Sequence, residues 1–77
     1  MKQMLDIYGV ACDVHPVRTF VSGRQLGVGY DLTDPSTFYV YDRDDRHSLW
    51  HKHCGPCSSF DDAKDWIMAI REAGRHD

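Results

Sequence analysis

Long apolar runs, runs of basic residues and an even set of cysteines are all missing from this 77-residue chain. No stretch approaches the ~20 apolar residues of a membrane-spanning helix, so no transmembrane helix and no membrane partner are expected. The opening residues carry Asp6 early and lack the apolar core of a secretory leader, which predicts a cytoplasmic protein. Lys and Arg total 9 against 12 Asp and Glu, a net charge of −3, and the cations are scattered. Sequence-independent affinity for nucleic acid comes from clustered cations neutralising phosphates, so that partner is not expected. The three cysteines, Cys12, Cys54 and Cys57, are an odd set that does not suit a disulfide scaffold and fits reduced thiols. No linker, repeat or low-complexity tract divides the chain, and residues 1–77 are read as one small domain.

A catalytic set is missing too. Gly23, Gly27 and Gly29 precede no helix N-terminus and form no phosphate loop. No nucleophile elbow is present, and Asp44–Asp45 and Asp61–Asp62 suit a turn and a helix start rather than acid–base chemistry. The expectation is a protein that is not an enzyme and carries no cofactor.

What is present reads as α+β. Val17 to Val21 alternates as a strand, Ser22-Gly23 supplies a turn, and Leu26, Val28, Tyr30 and Leu32 recur at period two. Gly27 and Gly29 between them leave one face almost bare, the pattern of a strand that something approaches closely. Pro35 ends that strand. Phe38-Tyr-Val-Tyr41 is a further strand, with Tyr39 and Tyr41 on one face and Phe38 and Val40 on the other. Asp42 to Arg46 is expected to turn the chain, and His47 to His53 to return as a strand. Ser59 is a good N-cap, Asp61 and Asp62 suit the positive end of a helix, and Phe60, Ala63, Ile67 and Ile70 recur at helical spacing up to Gly74. Met4 to Val14 fits either state, with strand preferred. The predicted architecture is a small antiparallel sheet of three to five strands with one C-terminal helix packed across it.

Cys54-Gly-Pro-Cys57 is identical to the active-site tetrapeptide of thioredoxin and precedes a helix, which would favour a thiolate. Only 20 residues follow it, no later proline is available, and no βαβ unit precedes it, so redox chemistry is not expected. A metal reading is more substantial. Cys12-Asp-Val-His15 and Cys54-Gly-Pro-Cys57 each place two ligand types with two residues between, and the outline resembles a treble-clef zinc domain. If zinc binds, Cys12, His15, Cys54 and Cys57 are the ligands. Against this, Cys12 alternates with Val10 and Val14 as a core residue would. Cys57 stands where an apolar plug is needed before the helix, and His47, His51 and His53 suit a solvated face.

Aromatics make up 12% of the chain, more than one helix and one sheet face easily bury. Exposed Tyr and Trp make interface anchors, which nominates Tyr39, Tyr41 and Trp50, with Arg43 and Arg46 beside them for acidic or phosphate-bearing surfaces.

From Phe38 to Ile70 the chain resembles a pattern common among small proteins of phages and mobile elements. It runs Tyr39-Val-Tyr41, Asp42-Arg-Asp-Asp45, Leu49-Trp50, then Gly55-Pro-Cys-Ser-Ser-Phe60 and Asp61-Asp-Ala-Lys-Asp-Trp-Ile67, with Cys57 where Phe often stands. Members have a hairpin feeding a helix that packs back on the sheet. By type the chain is similar to phage-encoded inhibitors of bacterial defence, including anti-CRISPR proteins. Those are short lone domains without catalytic motifs that occupy a surface of a defence complex. The resemblance implies a host protein or ribonucleoprotein complex as partner and leaves a homodimer open. The alternative is a zinc-stabilised module for protein or nucleic-acid interaction.

Overall fold

The computed structural model describes residues 4–21, 23–45 and 47–73, with residues 18–21 described by their backbone only. In chain order the elements are β1 (Met4–Leu5), β2 (Ala11–Val21), β3 (Arg24–Asp31), β4 (Phe38–Arg43), β5 (His51–Cys57) and α1 (Phe60–Ala73). The strands form one antiparallel sheet of five in sequence order, and α1 packs across it. The α+β arrangement is as expected, and the ambiguous stretch from Met4 to Val14 is a short strand, a turn and the start of β2.

Three boundaries differ from expectation. Ala11 to Val14 and Val17 to Val21 belong to one continuous strand that carries Pro16. Among the described residues nothing pairs with the outer side of β2 beyond Cys12, and proline is tolerated in an edge segment of this kind. β4 continues through Asp42 and Arg43, since Leu26 and Gln25 pair with them and bury Asp42. β5 starts at His51 and runs on through Cys54-Gly-Pro-Cys57, so the tetrapeptide lies in a strand rather than in a loop.

The helix starts where its cap chemistry puts it. Ser59 Oγ accepts from Asp62 N at 3.1 Å, and the Asp62 carboxylate reaches back to Ser58 N at 3.2 Å. Gly74, expected to end the helix, lies outside the described residues. Ala63 and Ile67 are buried against Leu26, Val28, Val40 and Cys57, with Val17, Phe38, Cys54, Phe60 and Ile70 around them.

The opposite face is covered by the sheet itself. Asp6 forms a parallel bridge with Trp50, and Ile7 N donates to Trp50 O at 3.0 Å. The two ends of the sheet therefore curl toward each other around Cys12, Val14, Tyr41 and Trp50, with Tyr39 against them. Gly27 and Gly29 allow this closure. A Cβ at Gly27 would lie 2.7 Å from Val14 Cγ1 and 3.0 Å from Trp50 Cη2, and one at Gly29 would strike the β2 backbone at Asp13 and Val14.

Inside the curl the Tyr41 hydroxyl is the one buried side-chain polar atom, among the described residues, without a hydrogen-bond partner. A buried group left unmatched carries its desolvation cost in full. Tyr41→Phe is therefore expected to leave stability unchanged or raise it by up to ~1 kcal/mol, measured by urea unfolding. A loss of more than that would mean the hydroxyl has a partner in solution.

Candidate functional site

Burial decides the fate of the aromatic residues first. Trp50 is 2% exposed and Tyr41 is fully buried. Both therefore lose the role of exposed anchor that their number suggested, because the curl supplies a second core. Tyr39 is half-buried, with Lys52 Nζ 4.3 Å from its ring centre. The Arg43 guanidinium lies 4.1 Å over the Trp50 ring, and its Nε donates to Gln25 Oε1 at 2.9 Å. Arg43 thus seals the curl. Arg46 lies outside the described residues.

The proposed metal ligands do not come together either. Cys12 belongs to the cluster inside the curl, whereas Cys54 and Cys57 belong to the helix-covered core on the other face of the sheet. His15 sits at the edge of Phe60, ring centres 6.0 Å apart, also on the helix side. Two-residue spacing alternates within a strand, so the Cys12-to-His15 pair is split across the sheet. Among the described residues no group of three or more His, Cys, Asp or Glu side chains converges as a metal site. Burial, reinforced by the charges of Asp6, Asp13 and Asp31, pushes the Cys12 thiol up to about 11. Burial raises Cys54 and Cys57 as well, so all three favour the neutral thiol, unlike a reactive cysteine.

Two buried carboxylates organise the polar ends of the sheet. Asp31 accepts from Thr33 N at 2.9 Å, Asp34 N at 3.0 Å, Lys52 Nζ at 2.9 Å and the Thr33 hydroxyl. The Thr33 and Lys52 hydrogen bonds hold its carboxyl down to about 2. Asp42 receives Arg24 Nε at 3.0 Å and His51 Nδ1 at 3.1 Å, with His53 Nδ1 at 3.4 Å. Burial works to raise Asp42, but the Arg24 and His51 hydrogen bonds outweigh it, and the group titrates below its ordinary value. Arg24 also pairs with Asp44. This cluster has a histidine–carboxylate contact, with no nucleophile hydrogen-bonded to it among the described residues, and its bonds tie β3, β4 and β5 together.

These depressions set a pH dependence. The unfolded chain takes up protons near the ordinary carboxylate value of ~4, before Asp31 and Asp42 do so in the folded protein. Their contribution is complete above that value and is lost as pH falls toward 2. We expect the midpoint of thermal unfolding to fall steeply between pH ~4 and ~2.5, and Asp31→Asn to lower it at neutral pH while flattening the acid limb. Parallel curves for the two proteins would contradict this.

The exposed feature that stands out is a set of large apolar residues around the β1–β2 turn. Met4, Leu5, Ile7 and Tyr8 are exposed there, Tyr8 at 82%, together with Leu32 and Leu49. Backbone contacts bring their segments side by side, while alternation sends Met4 and Leu5 to opposite faces of β1. Leu5 pairs with Ala11, Leu32 N donates to Ala11 O at 2.9 Å, and Ile7 N is held by the carbonyl of Trp50, next to Leu49. Asp6 makes the turn rigid: its buried carboxylate accepts from Tyr8 N and Val10 N, both at 2.9 Å, and Gly9 takes φ 79°. Sequence reasoning missed this strip because Met4 to Val14 was ambiguous between helix and strand. The available signal was Ile7-Tyr8 directly before Gly9, two large apolar residues in a turn, where no side chain points at a core.

No protein family, curated protein or solved structure matches the chain. Among the described residues no helix is long and apolar enough to cross a membrane.

Proposed function

We propose that this chain is a non-enzymatic protein-binding module that docks through the strip of Met4, Leu5, Ile7, Tyr8, Leu32 and Leu49. The observation that carries the reading is the exposure of these large apolar side chains on and beside a turn held by the Asp6 carboxylate. Large apolar side chains exposed around one turn are typical of interaction sites, and a turn already held in place loses little entropy on binding. The resemblance of Phe38 to Ile70 to small phage proteins supplies the finer reading: an inhibitor, phage-encoded, that blocks a host defence complex of the CRISPR-Cas type in the host cytoplasm. Tyr39 and Arg43, at the rim of the curl, would then support the fold behind the strip rather than make the contact.

The test is affinity capture from defence-positive host lysate, paired with phage plating on the same strain. The wild-type chain is expected to recover a stoichiometric defence subunit and to protect phage. Ile7→Ser combined with Tyr8→Ser is expected to lose both properties while keeping the wild-type thermal transition. Capture and protection that survive the double substitution would move the site elsewhere. A chain that recovers no stoichiometric partner and gives no protection would end the inhibitor reading.

A further inference from the structure

A second surface lies on the other side of the molecule, and its geometry is of a different kind. β1 covers the outer side of β2 only at Ala11 and Cys12, yet β2 continues to Val21. Among the described residues nothing pairs with that outer edge beyond Cys12, and the register with β3 shifts between Pro16 and Phe20 before pairing resumes at Phe20 and Val21. Beside the edge runs a groove of about 160 Å³ lined by Val17, Lys64, Ile67 and Met68. Val17 is the sheet's contribution and the other three belong to α1. The groove therefore opens at the β2 side. Met68 is 65% exposed at its lip.

We infer that the outer edge of β2 and the adjoining flank of α1 form a docking site for an extended, acidic peptide segment of a partner protein, which adds as a strand beside Val17–Val21. An unpaired strand edge supplies main-chain hydrogen bonds to such a segment, and a neighbouring apolar groove takes alternate side chains. Charge selects the occupant. At 100° per residue, Lys64 and Arg71 lie within about 20° of each other on the groove side, with Met68 about 40° from Lys64, and Asp61, Glu72 and Asp65 follow in turn beyond Met68. Lys64 forms no ion pair among the described residues, and its ammonium stands 5.8 Å from the Phe60 ring centre, the ring that His15 also touches. An apolar side chain in the groove with a carboxylate next to it meets both features. A second copy of this chain fits less well. Edge-to-edge pairing about a two-fold axis would set the Lys64 and Arg71 flanks of two helices against each other.

The experiment is selection of a displayed library of random 12-residue peptides on the full chain, followed by titration of the best synthetic peptide. Enriched sequences are expected to alternate apolar residues with Asp or Glu. Lys64→Glu and Met68→Glu, both at exposed positions, should each weaken the peptide at least ~10-fold with an unchanged thermal transition. Amide exchange in Val17–Val21 should slow on binding. Ile7→Ser with Tyr8→Ser should leave the affinity unchanged, which separates this site from the strip at the first turn. No enriched peptide, affinity indifferent to both helix variants, or affinity lost with the first-turn variant would each overturn the inference. So would concentration-dependent dimerisation that slows exchange at this edge without peptide.

Discussion

Trp50→Ala is expected to bring the domain to the verge of unfolding at room temperature. Trp50 is 2% exposed and touches the curl from within: its ring meets Tyr41 at 6.4 Å between centres, lies over Gly27 and carries the Arg43 guanidinium at 4.1 Å. Its backbone also forms the bridge that holds Asp6 and closes the sheet. Truncating a buried Trp costs about 3–5 kcal/mol, because the lost transfer energy is joined by the energy of the cavity left behind. A domain of this size holds only about 4–12 kcal/mol in all, so the loss is a large share of the total. At about 4–8 °C per kcal/mol, the thermal midpoint should drop by roughly 12–40 °C. Trp66 provides the internal control, since it is 51% exposed on α1 and its alanine variant should shift the midpoint by only a few degrees. Equal losses at the two tryptophans, measured by circular dichroism, would show that the curl is not a second core.

Gly29→Ala should be at least as damaging although it adds a single methyl group. Gly29 has ordinary strand dihedrals, so backbone conformation is not the obstacle; space is. A Cβ there would overlap the Asp13 carbonyl and stand 2.7 Å from Val14 Cα, and both are main-chain atoms of the paired strand that no rotamer change can move. Overpacking in a core costs ~1–3 kcal/mol when side chains can shift, and more when the backbone must move. Gly27→Ala meets mainly the ends of the Val14 and Trp50 side chains and should fall within that lower range. The expected order in urea midpoints is wild type, then Gly27→Ala, then Gly29→Ala, the last without a cooperative transition. An inverted order would mean that β2 and β3 do not approach as closely as described.

The Asp6 turn shows why the exposed strip was hidden in the residue pattern. Periodicity reports which residues share a face, and it works when one face is wet and the other dry. Alternation puts Tyr39 and Tyr41 on one face and Phe38 and Val40 on the other, and the two cores divide them in that way. Periodicity does not report how many faces are dry. With a helix on one side alone, Tyr41 and Trp50 would be exposed; once the sheet curls, they are interior, and apolar exposure passes to Ile7, Tyr8 and Leu49. Likewise Cys12 and His15 have metal-like spacing, but strand alternation sends them to opposite sides.

Local chemistry by itself determined the helix start at Ser59, the amphipathic stripe of Ala63 and Ile67, the strand character of Phe38 to Tyr41 and the close approach at Gly27 and Gly29. Each depends on neighbours within a few residues or on the presence or lack of a side chain, which the order of residues states directly. Only the tertiary structure decided that Asp6 reaches Trp50, that Asp42 gathers Arg24 and His51, and that Cys12 parts from Cys57. Those arrangements relate residues that lie on different elements and are not neighbours in the chain, and they exist because a twisted five-stranded sheet with glycines on one face can curl far enough to bury that face against itself.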